Sequence, residues 1–302
     1  METFLEKLCK AAGSQAVKQN EPMKKHTTFR IGGPADFFVT PEDEVSFAAA
    51  VAVCRREGMP YYILGNGSNL LVSDKGFRGV VIETEKALCG IRERDGLLEA
   101  GAGVLMSSLS KEALRLSLTG LESASGIPGT LGGGVVMNAG AYGFELRDVL
   151  LWARILDKDG IVRKIPASEL KLGYRCSVIP EKGYIVLSAA LQLQKGDQAS
   201  IRARMKELSA QRRAKQPLEY PSAGSTFKRP EGYFAGKLID DAGLRGFQSG
   251  GAQVSEKHCG FVVNRGDATA EDVMELCRQV QKKVQEKFDV RLEMEIKRLG
   301  EL

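Results

Sequence analysis

Between Leu121 and Gly143 the chain reads Leu-Glu-Ser-Ala-Ser-Gly-Ile-Pro-Gly-Thr-Leu-Gly-Gly-Gly-Val-Val-Met-Asn-Ala-Gly-Ala-Tyr-Gly, and few folds can absorb such a segment. Gly126, Gly129, Gly132, Gly133, Gly134, Gly140 and Gly143 fall within it. Glycine reaches backbone angles that a Cβ forbids and lets a ligand approach the main chain closely. Successive bare N–H groups make a concave anion site. The interleaved Leu, Ile and Val residues and Pro128 exclude a flexible linker, which would be rich in Ser and Gly and poor in aliphatics. A tight packing turn does not need this many glycines. The stretch points to a bound phosphate-bearing ligand.

A second glycine loop, Gly65-Asn66-Gly67-Ser68-Asn69, lies between the apolar runs Tyr61–Leu64 and Leu70–Val72. It is not the dinucleotide fingerprint, because Leu70 stands where a third glycine belongs and no helix pattern follows. Alone it is weak evidence, and its value comes from being paired with the longer stretch downstream. Glycine loops between strands place a ligand across sheet edges, unlike the helix-start geometry of a Rossmann domain.

At 302 residues, 43% of them hydrophobic, the chain suits two or three subdomains with a substantial core. A formal charge of +5, with acids and bases interspersed, is too mild for a nucleic-acid binder but helps attract an anionic substrate. Six cysteines without a C-x-x-C spacing read as reduced thiols of a cytosolic protein. Two histidines, His26 and His258, leave a zinc site short of ligands, so no metal is expected. The N-terminal run carries charges that a signal peptide lacks, and no apolar stretch is long enough for a membrane span.

Helical spacing marks Phe4 to Ala12 and Leu105 to Leu118. Thr40 is expected as the N-cap of a helix with Pro41 at its first position and Gly58 beyond its end. Val149–Leu156 and Ile161–Ile165 read as a hairpin turned at Asp157-Lys158-Asp159-Gly160. A basic helix spans Ala199 to Gln216, its charges read as a solvated face, and Pro217 ends it. Thr269, with Asp272 three residues on, caps a long helix to Phe288. The chain closes on a strand, Val290 to Lys297.

Three places carry candidate chemistry. In Gly173-Tyr174-Arg175-Cys176 the arginine can stabilise developing negative charge or make a structural ion pair. Ser225, followed by Lys228 and Arg229, is a proton donor or a turn cap. Glu293 and Glu295 alternate with Leu292, Met294 and Ile296, and nothing local separates the two. No G-x-S-x-G elbow is present, and two histidines fit a Ser-His-Asp triad poorly. The residues alone therefore lead to a nucleotide- or flavin-binding enzyme with an acid, a base and a cation to assign.

Taken together, Thr27-Thr-Phe-Arg-Ile-Gly-Gly-Pro-Ala, Gly65-Asn-Gly-Ser-Asn, Ser125-Gly-Ile-Pro-Gly-Thr-Leu-Gly-Gly, Met137-Asn-Ala-Gly-Ala-Tyr-Gly, Gly173-Tyr-Arg, Ala223-Gly-Ser-Thr-Phe-Lys, Gly251-Ala-Gln-Val-Ser-Glu-Lys-His and Gly260-Phe-Val-Val-Asn resemble the UDP-N-acetylenolpyruvoylglucosamine reductase family, flavoenzymes of bacterial peptidoglycan precursor synthesis. The resemblance runs nearly the whole chain, to Glu295. It implies an α+β fold: a two-subdomain FAD-binding domain of the vanillyl-alcohol oxidase type over residues 1–198 (about 1–86 and 87–198) and a smaller α+β substrate-binding domain over 199–302. It implies non-covalent FAD at Arg30, Gly65, Asn66, Gly67, Ser68, Asn69, Leu70, Gly126, Ile127, Pro128, Gly129, Gly132, Gly133, Asn138, Ala139, Gly140 and Ala141, and NADPH as hydride donor. Arg175 and Glu295, the latter protonated, match the positions that polarise the substrate carboxylate, and burial can keep a carboxyl neutral. Ser225 matches the proton donor. Substrate contacts are implied at Tyr174, Lys228, Arg229, Lys237, Gln253 and Asn264.

Gly134 stands where many relatives carry alanine, and Cys176 occupies a variable slot. Only 50 positions separate Arg175 from Ser225, which leaves no room for the tyrosine-bearing insertion of one subclass and matches the shorter, type II form. The expectation is a cytoplasmic monomer with a small-molecule substrate and no nucleic-acid or membrane partner. The alternatives are another flavin oxidase of the same superfamily and a nucleotide-binding protein that has lost its chemistry.

Overall fold

The computed structural model describes residues 2–94 and 96–302. By packing density the chain forms two compact units. The first takes the chain up to Gln19, Phe37–Asn66 and Gly79–Arg212; the second takes Asn20–Asp36, Gly67–Arg78 and Arg213–Leu302. Neither unit is continuous in sequence: segments 20–36 and 67–78 pack with the C-terminal residues.

A five-stranded antiparallel sheet dominates the first unit. Its order is Val162–Pro166, Leu150–Leu156, Ile185–Gln192, Leu97–Gly101, Ile91–Arg94. Ile185–Gln192 is central and buried along most of its length, as its apolar run requires. The expected hairpin forms, with Ala153 opposite Ile165. Asp157 accepts the backbone N–H groups of Asp159 and Ile161 and pairs with Arg163 at 2.6 Å. Those interactions, the Arg163 guanidinium foremost, hold its carboxyl below the usual range. Phe47, Leu98, Met106, Leu109, Leu131 and Leu146 are among the core side chains of this unit. Tyr61–Leu64 pairs in parallel with Phe77–Glu83 in a further, four-stranded sheet.

The helix expected to start after Thr40 begins later and spans Glu44–Arg56. Its cap is Asp43, whose side chain accepts the Ser46 N–H while the Ser46 hydroxyl answers the Asp43 N–H. Reciprocal capping of this kind satisfies two otherwise orphaned donors, more than the lone Thr40 hydroxyl offers.

The second unit holds a four-stranded antiparallel sheet in the order Ser222–Ser225, Phe261–Asn264, Ala252–Val254, Gln248–Ser249. The helix Ala270–Phe288 contributes Val273, Met274, Leu276, Cys277, Val280 and Val284 to its core, the spacing of one helix face. Thr269 and Asp272 form the expected capping box. Asp74 accepts the next two N–H groups of that helix, Ala270 and Glu271.

The C-terminal segment departs from the expected strand. Only Lys297–Leu299 is a strand, paired in parallel with Leu70–Val72. Before it, the extended chain makes a single bridge, Met294 opposite Phe227. The physical reason is a change of partner: the Lys228 N–H donates to Glu293 O and the Glu295 N–H to Thr226 O, whereas the Lys297 N–H donates to Asn69 O. No helix among the described residues is long and apolar enough to cross a membrane.

Candidate active site

The first unit brings Gly65 and Asn66 against the long glycine stretch. Asn66 Nδ2 donates to Pro128 O at 2.5 Å, and a Cβ at Gly65 would run into the Thr130 hydroxyl. The stretch itself is pinned from below, with the Met106 N–H on Gly129 O at 3.0 Å, the Leu131 N–H on Val104 O at 2.8 Å and the Gly132 N–H on Ala102 O at 2.8 Å. Thr130 opens the short helix Leu131–Met137, its hydroxyl accepting the Gly133 N–H at 3.4 Å. Glycine is demanded here by the protein itself at Gly132, where a Cβ would sit 2.8 Å from Ala102 Cβ, and at Gly140, where it would sit 2.5 Å from Phe144 O. Gly133 differs. It is exposed, and a Cβ there meets nothing nearer than Thr130 Oγ1 at 3.7 Å. Bare main chain facing open space is what a diphosphate requires of a cradle.

Asn138 ends the helix in the left-handed region, at φ +42°. Its side chain is fully used inside the protein: Nδ2 donates to Glu145 Oε2 and to Gly173 O, both at 3.0 Å, and Oδ1 accepts the Arg147 N–H at 3.0 Å. This residue therefore fastens the Gly173–Cys176 turn to the glycine stretch. In that turn the Gly173 N–H donates to Cys176 O at 3.1 Å and the Cys176 N–H returns to Gly173 O at 3.3 Å. Arg175, at the tip, has φ +55°, a geometry that glycine or asparagine adopts at lower cost. A side chain held in that region is strain kept by its surroundings, which is common where function fixes a residue. Both Arg175 Nη atoms lie 3.4 Å from Gly140 O, and the guanidinium stands 5.2 Å from the Tyr174 ring centroid.

In the second unit, Ser225 ends the edge strand Ser222–Ser225, opposite Phe261. The next three residues carry the C-terminal segment. Glu295 is half-buried, its N–H bonded to Thr226 O at 2.8 Å and its carbonyl accepting from Asn69 Nδ2 at 3.4 Å. Glu293 is 72% exposed and pairs with Lys228 Nζ at 2.5 Å. The structure thus separates the two glutamates that alternation alone leaves equivalent. Arg229 stacks over the Phe234 ring at 4.6 Å.

The other expected contact residues are placed as follows. Lys237, on the helix Ala235–Asp241, is exposed and paired with Asp241. Gln253 is buried, with Nε2 donating to Gly246 O at 3.1 Å. Asn264 is buried as well; its Nδ2 donates to Phe29 O, and its Oδ1 accepts the Gly266 and Ala268 N–H groups. Arg30, at φ +56°, is exposed and lines a cleft of about 750 Å³ with Lys24, Tyr220, Arg265 and Asp267. Among the described residues no cluster of three or more His, Cys, Asp or Glu side chains could hold a metal ion. Burial pushes the Cys54 and Cys277 thiols up to about 12, which removes them as nucleophiles.

Two features were not singled out from sequence. Thr130 is the side chain that both caps the Leu131–Met137 helix and fills the space beside Gly65. Arg212, within the helix Gln198–Lys215, packs directly on Gly126, where a Cβ would lie 2.9 Å from its Nη1.

Exposed glycine main chain with a cation beside it suits a phosphate-bearing cofactor, and residues 35–165 match the family model described as "FAD binding domain". Fold and site thus define a flavoprotein oxidoreductase of α+β architecture. Residues 216–299 match "UDP-N-acetylenolpyruvoylglucosamine reductase, C-terminal domain". The reductase of that name from Agathobacter rectalis is 52% identical over 99% of both chains. Its counterpart from Lachnoclostridium phytofermentans is 52% identical over 99% of this chain and 97% of its own. The crystal structure of the Thermus caldophilus enzyme superposes with a TM-score of 0.79 at 38% identity, covering 94% of this chain and 99% of that one. The chain belongs to the UDP-N-acetylenolpyruvoylglucosamine reductase family.

Proposed function

We propose that the protein reduces the enolpyruvyl ether of UDP-N-acetylglucosamine to UDP-N-acetylmuramate in two half-reactions, with NADPH as the reductant. The observation that carries this reading is Ser225 and a half-buried Glu295 on adjoining backbone of the second unit, in a chain whose first unit, taken by itself, holds an exposed glycine main-chain cradle. The chemistry supplied by bound FAD is hydride transfer, from NADPH to the terminal methylene carbon of the enolpyruvyl group. Gly65, Asn66 and the 126–133 main chain hold the cofactor. The Arg175 guanidinium binds the substrate carboxylate, where negative charge grows as the methylene carbon is reduced, and Glu295, as the neutral acid, donates a hydrogen bond to the same group. Ser225 Oγ gives its proton to the carbon bearing the carboxylate, completing the lactyl ether. Lys228 lowers the cost of the alkoxide left behind, and Arg229 meets the substrate's diphosphate.

By role, residues 1–198 form the FAD-binding domain and 199–302 the substrate-binding domain. The protein acts in the cytoplasm as a monomer, without nucleic-acid or membrane partner. Asn138 and Asn264 act as positioning residues, since their amides are spent on neighbouring loops: Asn138 on Gly173 O and the Glu145 carboxylate, Asn264 on Phe29 O. An anaerobic absorbance titration tests the reading. NADPH bleaches the flavin band, and the enolpyruvyl nucleotide restores it. Bleaching reversed by oxygen alone would replace the reductase by an oxidase, and a protein that takes up no FAD would remove the cofactor assignment.

A further inference from the structure

Arg212 lies against the glycine cradle, and the mechanism above leaves its charge idle. It is half-buried, and among the described residues no carboxylate pairs with it. Its guanidinium lies so close over Gly126 that any side chain at position 126 would displace it. The polar group that influences it is the Tyr142 phenol, on a residue held at φ +52° beside Gly143. Burial works against its charge and lowers its pKa from the ordinary arginine value, and no acid offsets that cost. A desolvated cation without a partner is unfavourable unless an anion arrives. The neighbouring arginines on the same helix do not share this environment: Arg204, for instance, pairs with Glu207 in solvent.

We propose that Arg212 binds the diphosphate of the flavin dinucleotide, its guanidinium and the main chain of residues 126–133 gripping the anion from two sides. A planar, permanently charged fork suits phosphate oxygens in a bidentate arrangement. Gly126 then lacks a side chain so that the arginine can lie over the main chain that grips the anion. The inference rests on the flavin reading and adds a specific anchor to it.

The test compares wild type, Arg212→Gln and Arg212→Lys for FAD and riboflavin dissociation constants and for the melting temperature of the apoprotein. Losing a charge-assisted hydrogen bond to the diphosphate predicts FAD binding weakened by about tenfold or more in Arg212→Gln, with a partial loss in Arg212→Lys. Riboflavin, which lacks phosphate, binds all three alike. The salt dependence of FAD binding flattens in Arg212→Gln. The apoprotein melts no lower than wild type, because the variant deletes a half-buried charge that no carboxylate offsets. An unchanged FAD dissociation constant in Arg212→Gln overturns the proposal. So does a lowered apoprotein melting temperature with riboflavin and FAD weakened equally, which marks a structural role. A raised KM for NADPH with FAD affinity intact assigns the anion to the reductant and overturns it too. A wild type that binds no FAD defeats the flavin reading itself. In that case inorganic pyrophosphate is the probe: stabilisation of wild type but not of Arg212→Gln keeps the anion site, and equal stabilisation removes it.

Discussion

The glycine stretch of the first unit and the Ser225/Glu295 region of the second solve opposite problems. In the first, side chains must be absent. Gly132 and Gly140 are held by neighbouring backbone and methyl groups that leave no room for a Cβ, and Gly133 presents bare main chain to open space. In the second, particular side chains are called for, Ser225 at the end of a four-residue strand and Glu295 on extended chain just before a three-residue one. Binding through main chain is insensitive to which ligand atom carries the charge. Chemistry through side chains depends on one atom at one place. The first region should therefore fail by unfolding or by losing its cofactor, and the second by losing a single step.

Ser225→Ala offers the sharpest way to break that contrast. The reductive half-reaction with NADPH should stay within a factor of about two, while reoxidation by the enolpyruvyl nucleotide should slow by roughly 10²–10⁴-fold, the range for a lost general acid. Stopped-flow absorbance measures both in one experiment. A substrate-driven reoxidation at wild-type rate would remove the serine as proton source.

Next in size is the difference between the two glutamates. Glu295→Gln keeps the shape but replaces the carboxylic O–H donor by a weaker amide N–H, so reoxidation should slow by about 10-fold or more. Glu293→Gln loses only an exposed pair with Lys228, worth about 0–1 kcal/mol, and should shift melting and turnover little. Equal effects from the two would mean that the pairing around Thr226 does not select Glu295.

That selection shows where sequence reading stops. Alternation places both glutamates on one polar face, and long-range context separates them: the Glu293 carboxylate is exposed and paired with Lys228, while Glu295 is half-buried and its backbone carbonyl is held by Asn69, more than two hundred positions upstream. The same long-range pairing, Leu70–Val72 with Lys297–Leu299, draws residues 67–78 into the second unit, and three-residue strands leave no periodic signature. Local signals fared better. The Thr269–Asp272 box and the hairpin at Asp157–Gly160 are settled by neighbours in the chain, and both are read directly from it. Thr40 failed as a cap because a better reciprocal pair, Asp43 and Ser46, follows three residues later. The glycine cradles were legible because such clusters are costly unless something uses them. Arg212 was not, since a basic helix hides which of its arginines turns inward.

Gly132→Ala probes the first region at its tightest point. Its Cβ would lie 2.8 Å from Ala102 Cβ and 3.1 Å from Ala102 O, and neither can swing away as a flexible side-chain end would. Overpacking of this kind costs about 1–3 kcal/mol. Thermal unfolding of the apoprotein should show it before any loss of FAD is considered, and an unchanged melting temperature would show that the loop is free to shift.

The smallest expected effect lies two residues further on, at Gly134. It occupies the same short helix, is as buried as Gly132, and has an ordinary negative φ. A Cβ there would rest 3.5 Å from Leu146 Cδ2, 3.5 Å from Met106 Sδ and 3.8 Å from Ala139 Cβ, which is normal contact. Alanine also relieves the entropic cost of glycine in a helix, about 0.5–1 kcal/mol. Gly134→Ala should therefore leave FAD affinity unchanged and raise the melting temperature slightly. Gly132→Ala and Gly134→Ala measured side by side separate two explanations of the stretch. If both destabilise, the glycines are needed for backbone freedom throughout. If only the first does, each is fixed by what lies against it, and the exposed Gly133 is left as the position whose missing side chain serves the ligand.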